Sequence, residues 1–341
     1  MKKILSLLLV LTMVLCAFVA CTPATPDAGN NNTDNGNNNT DNGNNNTDNG
    51  NNDNNTPTEK TYTLALAVDT AFGKGNKVSN TALVLVLDAD NKIVAARFDC
   101  AEATPALDEA GALVPQESVQ SKVEKGDAYT GMNAGSWEKQ TAAFEQFLIG
   151  KTPAEVAALQ FVVDGADAGL VAGCTMKSSM PTFQALVAEA FASDAKLTFT
   201  TADSIKTGLA LSTSVKSGKG GKVTVTTDVA ALAIVGDKVA ATALDSIEQS
   251  FTIEEVEGAQ TLVAGELQAS KQEKGEAYTG MPAGAWYKQA AVFANTTVGK
   301  TVAELENLET VSDALAAAGC TMKNTTASYK ATIIKAAGYA K

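Results

Sequence analysis

Two stretches of this 341-residue chain end in the same six residues, Asp167–Lys177 (DAGLVAGCTMK) and Asp313–Lys323 (DALAAAGCTMK). In each, a threonine, Thr175 or Thr321, follows Ala-Gly-Cys and stands eight residues after an aspartate, Asp167 or Asp313. Gly173 and Gly319 let the backbone turn tightly and approach a ligand closely. A helix beginning just beyond offers N–H groups and a positive dipole end to an anion. Small-Gly-small-Thr ahead of a helix is therefore a place for a phosphate. The plainer role for the threonine is helix capping, and the spacing argues against it. The last helix is predicted to begin near Ala327, six residues after Thr321. In the first stretch Pro181 suits the first helical turn, and Ser178 or Ser179 is the better cap. Cys174 and Cys320 read as small residues that pack in a tight loop.

The chain has no histidine. That removes the commonest general base and metal ligand, and with it Ser-His-Asp and Cys-His catalysis. Cysteine use is sparse. Cys16 falls in the leader and Cys21 at its end, leaving Cys100, Cys174 and Cys320, neither a disulfide framework nor a zinc spacing. The sequence assigns no catalytic residue and no metal ligand.

Lys2 and Lys3 precede an apolar run from Ile4 to Val19 that ends in Phe-Val-Ala-Cys, the pattern of a secretory signal over residues 1–20. The same residues resemble the lipobox of bacterial lipoproteins. That resemblance implies cleavage before Cys21, lipidation of its thiol, and residence on the extracytoplasmic face of the bacterial cell membrane. Acyl chains contribute about 0.8 kcal/mol per buried CH₂. Loss of residues 1–20 removes two lysines and takes the formal charge from −12 to −14. So acidic a balance argues against nucleic-acid binding. Residues 21–60 repeat Thr-Asp-Asn-Gly-Asn-Asn from Thr33, Thr40 and Thr47. Without apolar residues to offset ordering entropy they are expected to form a disordered tether, spanning roughly 35 Å as a coil.

The rest is a duplication. Lys122–Phe144 aligns without a gap on Lys271–Phe293, Gly73–Val78 on Gly218–Val223, and Asn91–Asp99 on Asp237–Asp245. Two tandem domains are expected, 61–201 and 202–341, each long enough for its own core. Each opens with β-branched runs separated by Gly/Asn/Asp turns, which read as strands. A helix follows from about Ser136, with Trp137, Thr141, Phe144 and Leu148 on one stripe, matched by Trp286, Ala290 and Phe293. Thr152–Glu155 and Thr301–Glu304 are capping boxes. A last amphipathic helix closes each copy. Strands followed by helices predict an α+β fold, each domain a mainly antiparallel sheet packed with about three helices.

This order of strands, helices, a Gly-small-Thr loop and a closing helix resembles the FMN-binding domain family. That domain occurs in the C subunit of the sodium-translocating NADH:quinone reductase and in two-domain lipoproteins of extracellular electron transfer. The EKGDAYTGM and AGSWEKQ stretches are similar to segments of the lipoprotein branch. The chain departs from the family loop in having Cys174 or Cys320 where alanine is usual and Ala172 or Ala318 where serine is usual. The resemblance implies one FMN per domain, esterified through its phosphate to Thr175 and Thr321 by an FMN transferase. It implies an electron carrier between a membrane-bound reductase or quinone-linked donor and an extracellular acceptor. Tyr129 and Met132, with Tyr278 and Met281 in the second copy, lie in the Gly-flanked loop that would close over the flavin. The residues leave a second reading open, a non-redox surface lipoprotein that binds ligands or adheres. Glu124-Lys125 and Glu273-Lys274 read as a solvated face. Arg97 has no counterpart in the second copy.

Overall fold

The computed structural model describes residues 58–129, 135–160, 171–218, 221–278, 281–323 and 325–341. The leader, Cys21, the tether up to residue 57, Met132 and Asp167 lie outside the described residues, and Lys60, assigned to the tether, is the first residue of β1. The fold is α+β, with two antiparallel sheets. Strands β1 (Lys60–Phe72), β2 (Val78–Leu87), β3 (Ile93–Ala103) and β5 (Leu197–Thr201) form one sheet, in the order β3-β2-β1-β5. Strands β4 (Gln116–Val119), β6 (Ile205–Ser217), β7 (Lys222–Val235), β8 (Lys238–Val256) and β9 (Ala259–Ala264) form the other, in the order β4-β6-β7-β8-β9. The β1–β2 turn needs left-handed backbone, and Gly75 and Asn76 provide it at φ +67° and +64°.

The strands are apolar on both faces because both faces are covered. Leu64, Val84, Val86 and Phe199 of the first sheet pack on Leu209, Leu211, Val229, Ala231 and Ile247 of the second. The alternate residues turn outward onto helices. Leu83, Leu85 and Phe98 meet the helices of the first copy, and Ala230, Leu232 and Leu244 those of the second. The result is four layers: helices, sheet, sheet, helices. Residues 61–201 and 202–341 thus share one internal layer of core. One strand also crosses over: β4 belongs to the first copy by sequence, but pairs with β6 of the second.

Each copy carries its helices in the same order. The first has α1 (Lys122–Lys125), α2 (Trp137–Leu148), α3 (Pro153–Ala157) and α4 (Met180–Ala192). The second has α5 (Lys271–Lys274), α6 (Trp286–Asn295), a 3₁₀ turn (Val302–Asn307), α7 (Asp313–Ala317) and α8 (Thr325–Gly338). Trp137, Thr141, Phe144 and Leu148 are all buried, as their spacing requires. The Thr152–Glu155 box opens α3, while the matching Thr301–Glu304 box opens a 3₁₀ turn. The last helix starts two residues earlier than its pattern predicts, at Thr325. Gly208 lets α8 lie directly on β6, since a Cβ there would collide with the Ala336 carbonyl.

The one-turn helices α1 and α5 fall where a solvated face was expected. They are Ser-x-x-Glu boxes: Ser121 and Ser270 cap them, and Glu124 and Glu273 accept the cap N–H at 2.7 and 2.8 Å. Glu124 also pairs with Lys335 of α8 at 2.7 Å, joining the two copies. No helix among the described residues is long and apolar enough to cross a membrane.

Candidate functional site

The two threonine loops adopt one geometry. Gly173 and Gly319 take φ +83° and +101°, a conformation that favours glycine. Beyond the glycine the chain alternates. Cys174 and Met176 point into the first core, and Cys320 and Met322 into the second. The threonine between each pair is turned the other way, leaving Thr175 exposed and Thr321 half-buried. Both cysteines are packing residues, and burial pushes their thiols up from the ordinary value, away from the reactive thiolate.

A buried glutamine holds each loop. Gln140 of α2 accepts the Thr175 N–H at 2.8 Å and its hydroxyl at 2.9 Å. It donates to the Gly135 carbonyl at 3.1 Å. Gln289 of α6 repeats the pattern: it accepts the Thr321 N–H at 2.9 Å and its hydroxyl at 3.0 Å, and donates to Gly284 at 3.0 Å. Neither glutamine has any solvent exposure. Each therefore ties the Gly-Thr loop to the start of its helix with a fixed set of bonds, and fixes where the threonine oxygen stands.

Among the described residues neither threonine caps a helix through its side chain. Ser179 occupies the N-cap of α4 and makes no side-chain cap bond, so the serine is in the expected place without the expected bond. Asp313 is the first residue of α7, behind the cap Ser312, where an acid complements the helix dipole. That local duty accounts for the aspartate in the second copy. Lys177 and Lys323 stand two residues past the threonines and are exposed.

Behind each loop sits a second repeated cluster. The Lys122 ammonium lies 5.1 Å from the Tyr129 ring centre and 5.6 Å from Trp137, and pairs with Glu102 at 3.2 Å. The Lys271 ammonium lies 5.3 Å from Tyr278 and 5.9 Å from Trp286, and pairs with Glu248 at 2.7 Å. Lys271 is buried and Lys122 half-buried, and the neighbouring carboxylate offsets desolvation and raises the pKa of each above the ordinary value. Tyr129 thus packs on the first core, and Tyr278 and Met281 on the second. Trp286 donates to the Tyr329 hydroxyl at 3.0 Å, a bond without a counterpart where Phe183 replaces tyrosine.

Two fully buried carboxylates complete the repeat. Asp99 accepts the N–H of Cys100 at 2.7 Å and of Val123 at 3.1 Å. Asp245 accepts those of Ser246 at 2.7 Å and Gln272 at 3.0 Å. Each supports the N-terminus of α1 or α5. Desolvation outweighs these donors and raises Asp99 to about 7 and Asp245 to about 6.

The residues of the Gly-Cys-Thr loops were legible as a pair of candidates. Gln140, Gln289, Lys122, Lys271, Asp99 and Asp245 were not singled out. Their available signal was identity between the copies at positions flanked by changes, such as Val123 against Gln272 and Glu138 against Tyr287. No protein-family model, curated protein or solved structure matches the chain.

Proposed function

We propose that the chain is an extracytoplasmic, lipid-anchored electron carrier with one FMN esterified to Thr175 and one to Thr321. The observation that carries this reading is the twice-built loop. A hydroxyl is presented on the outer side of a buried Cys-x-Met clamp, held by a fully buried glutamine, with a lysine two residues on. Those features meet what a phosphoester requires, an accessible oxygen in a defined place and positive charge nearby. Bound FMN would supply a centre that takes up two electrons and releases them singly. The chain's own residues do the positioning. Esterification removes the proton that each threonine donates to its glutamine, and the threonine N–H keeps the glutamine bound. An FMN transferase is the partner that delivers the group. A membrane reductase and an extracellular acceptor are the redox partners, and Cys21 is the membrane anchor.

The Thr–Gln bonds also favour a second reading, a non-redox surface lipoprotein in which the threonine is a structural hydroxyl. Because that hydroxyl is bonded, comparing serine with valine at 175 or 321 does not separate the two readings; mass does. Co-expression with an FMN transferase should add to the mature chain two FMN masses, each less one water for the ester formed. Thr175→Ala and Thr321→Ala should remove one each, and peptide mapping should place both on the AGCTMK peptides. A wild-type mass at the polypeptide value would reject the flavin reading in favour of the structural one.

A further inference from the structure

The two copies differ where α2 and α6 end. The gapless register of Lys122–Phe144 on Lys271–Phe293 continues beyond those helices, and places Ala143 opposite Val292, Phe147 opposite Thr296 and Lys151 opposite Lys300. The backbone there is the same in both copies. Gly150 and Gly299 turn at φ +81° and +80°. They donate to the carbonyls of Ile93 and Val239, each at 2.8 Å. The Lys151 and Lys300 N–H groups then donate to Leu148 and Thr297, each at 3.0 Å. The two lysines are therefore carried in the same way.

What they face is not the same. In the first copy the Phe147 ring is half-buried against the core and stacks on Phe144 with ring centres 6.2 Å apart. The Lys151 ammonium lies 4.3 Å from the centre of that ring. In the second copy Phe293 and Lys300 remain, but threonine stands in place of the ring. A groove of about 590 Å³ is open there, lined by Val292, Thr296, Lys300, Leu308 and Leu315. Leu308 and Leu315 are buried, and Val292 and Thr296 half-buried. The second copy thus keeps the cation and the apolar walls of a ring site and lacks the ring. Lys300 and Glu309 bring one charge of each sign to the groove, which favours a neutral occupant.

We propose that this groove binds a small neutral aromatic compound, a phenol or an indole. Its ring takes the place that Phe147 takes in the first copy, against the leucines and the Lys300 ammonium, which is attracted to the face of the ring. Its hydroxyl or ring N–H has the side-chain amides of Asn295 and Asn307 as partners on the groove wall. The volume lies within the range of small-molecule sites, about 300–1,000 Å³.

Titration of the full chain with phenol, followed by amide NMR, tests this. Saturable shifts centred on Thr296, Lys300 and Leu315 are expected. Thr296→Phe, which copies the first copy's ring, should abolish them. Lys300→Gln, which removes the cation and keeps most of the side chain's length, should weaken binding about threefold or more. Cyclohexanol, with the same hydroxyl on a saturated ring, should bind about threefold or more weakly than phenol. Circular dichroism establishes that Thr296→Phe is folded; if it is not, Lys300→Gln alone decides. Absence of saturable shifts up to about 10 mM phenol, shifts centred elsewhere, equal binding of cyclohexanol, or binding unchanged in the deciding variant would each overturn the proposal.

Discussion

Replacing Asp99 by asparagine should stabilise the protein at pH 8 and leave it nearly unchanged near pH 4. Asp99 is 2% exposed, and asparagine keeps both its shape and an acceptor for the Cys100 and Val123 N–H groups. What it lacks is the charge that burial opposes. The folded carboxyl is raised from 3.8 to about 7, so between those values the folded chain holds a proton that the unfolded chain has released. Stability contributed by the protonated site is therefore complete below pH 3.8 and is lost as the pH climbs through about 7. At 1.36 kcal/mol per unit the full shift corresponds to about 4 kcal/mol. The same reasoning gives about 3 kcal/mol for Asp245→Asn, whose carboxyl is raised to about 6. Urea unfolding of wild type and variant at both pH values supplies the measurement. The difference between the two pH values removes any fixed cost of the amide. A variant that destabilises the fold equally at pH 4 and pH 8 would refute the reasoning, since the donors around Asp99 would then outweigh desolvation.

Two further outcomes follow from the packing. Gln140→Leu should strip Thr175 of both its glutamine bonds at a cost of about 1–3 kcal/mol, seen as faster amide exchange at Thr175; exchange that stays slow would mean another group holds the loop. Residues 202–341 expressed alone should self-associate in sedimentation, because the face of Leu209, Leu211, Val229, Ala231 and Ile247 loses its cover; a monomer that unfolds cooperatively would show that this face is dispensable.

Local features of the fold were legible because their causes are local. The Trp137–Phe144–Leu148 stripe, the Thr152–Glu155 box and the long strands each follow from spacing within a dozen residues. The sheet-on-sheet layer was not, because a continuous apolar strand shows that both faces are covered without showing by what. Strand β4 crossing to the other sheet, and the short strand β5, carry too few apolar residues to stand out, and β9 buries only Leu262. At the candidate site the two threonines were visible as a repeat. Their glutamine partners lie 35 and 32 residues away in sequence, and only the fold brings them together. Lys122 and Lys271 escaped notice because a lysine two residues before a glutamate reads as surface until aromatic rings are known to lie against it.

The layer of core between the sheets is what a subunit interface becomes when two identical chains are fused. In a symmetric homodimer every position acts twice, so one gene cannot place lysine on one side of the interface and glutamate at its mate. Here Lys335 and Glu189 occupy equivalent places with opposite charge. Fusion released that constraint, letting Lys335 pair with Glu124 across the copies while a glutamate stands at the equivalent place in the other half. It also made the pairing intramolecular, so that the association of the halves does not fall apart on dilution. Its two sheets therefore remain face to face at any concentration.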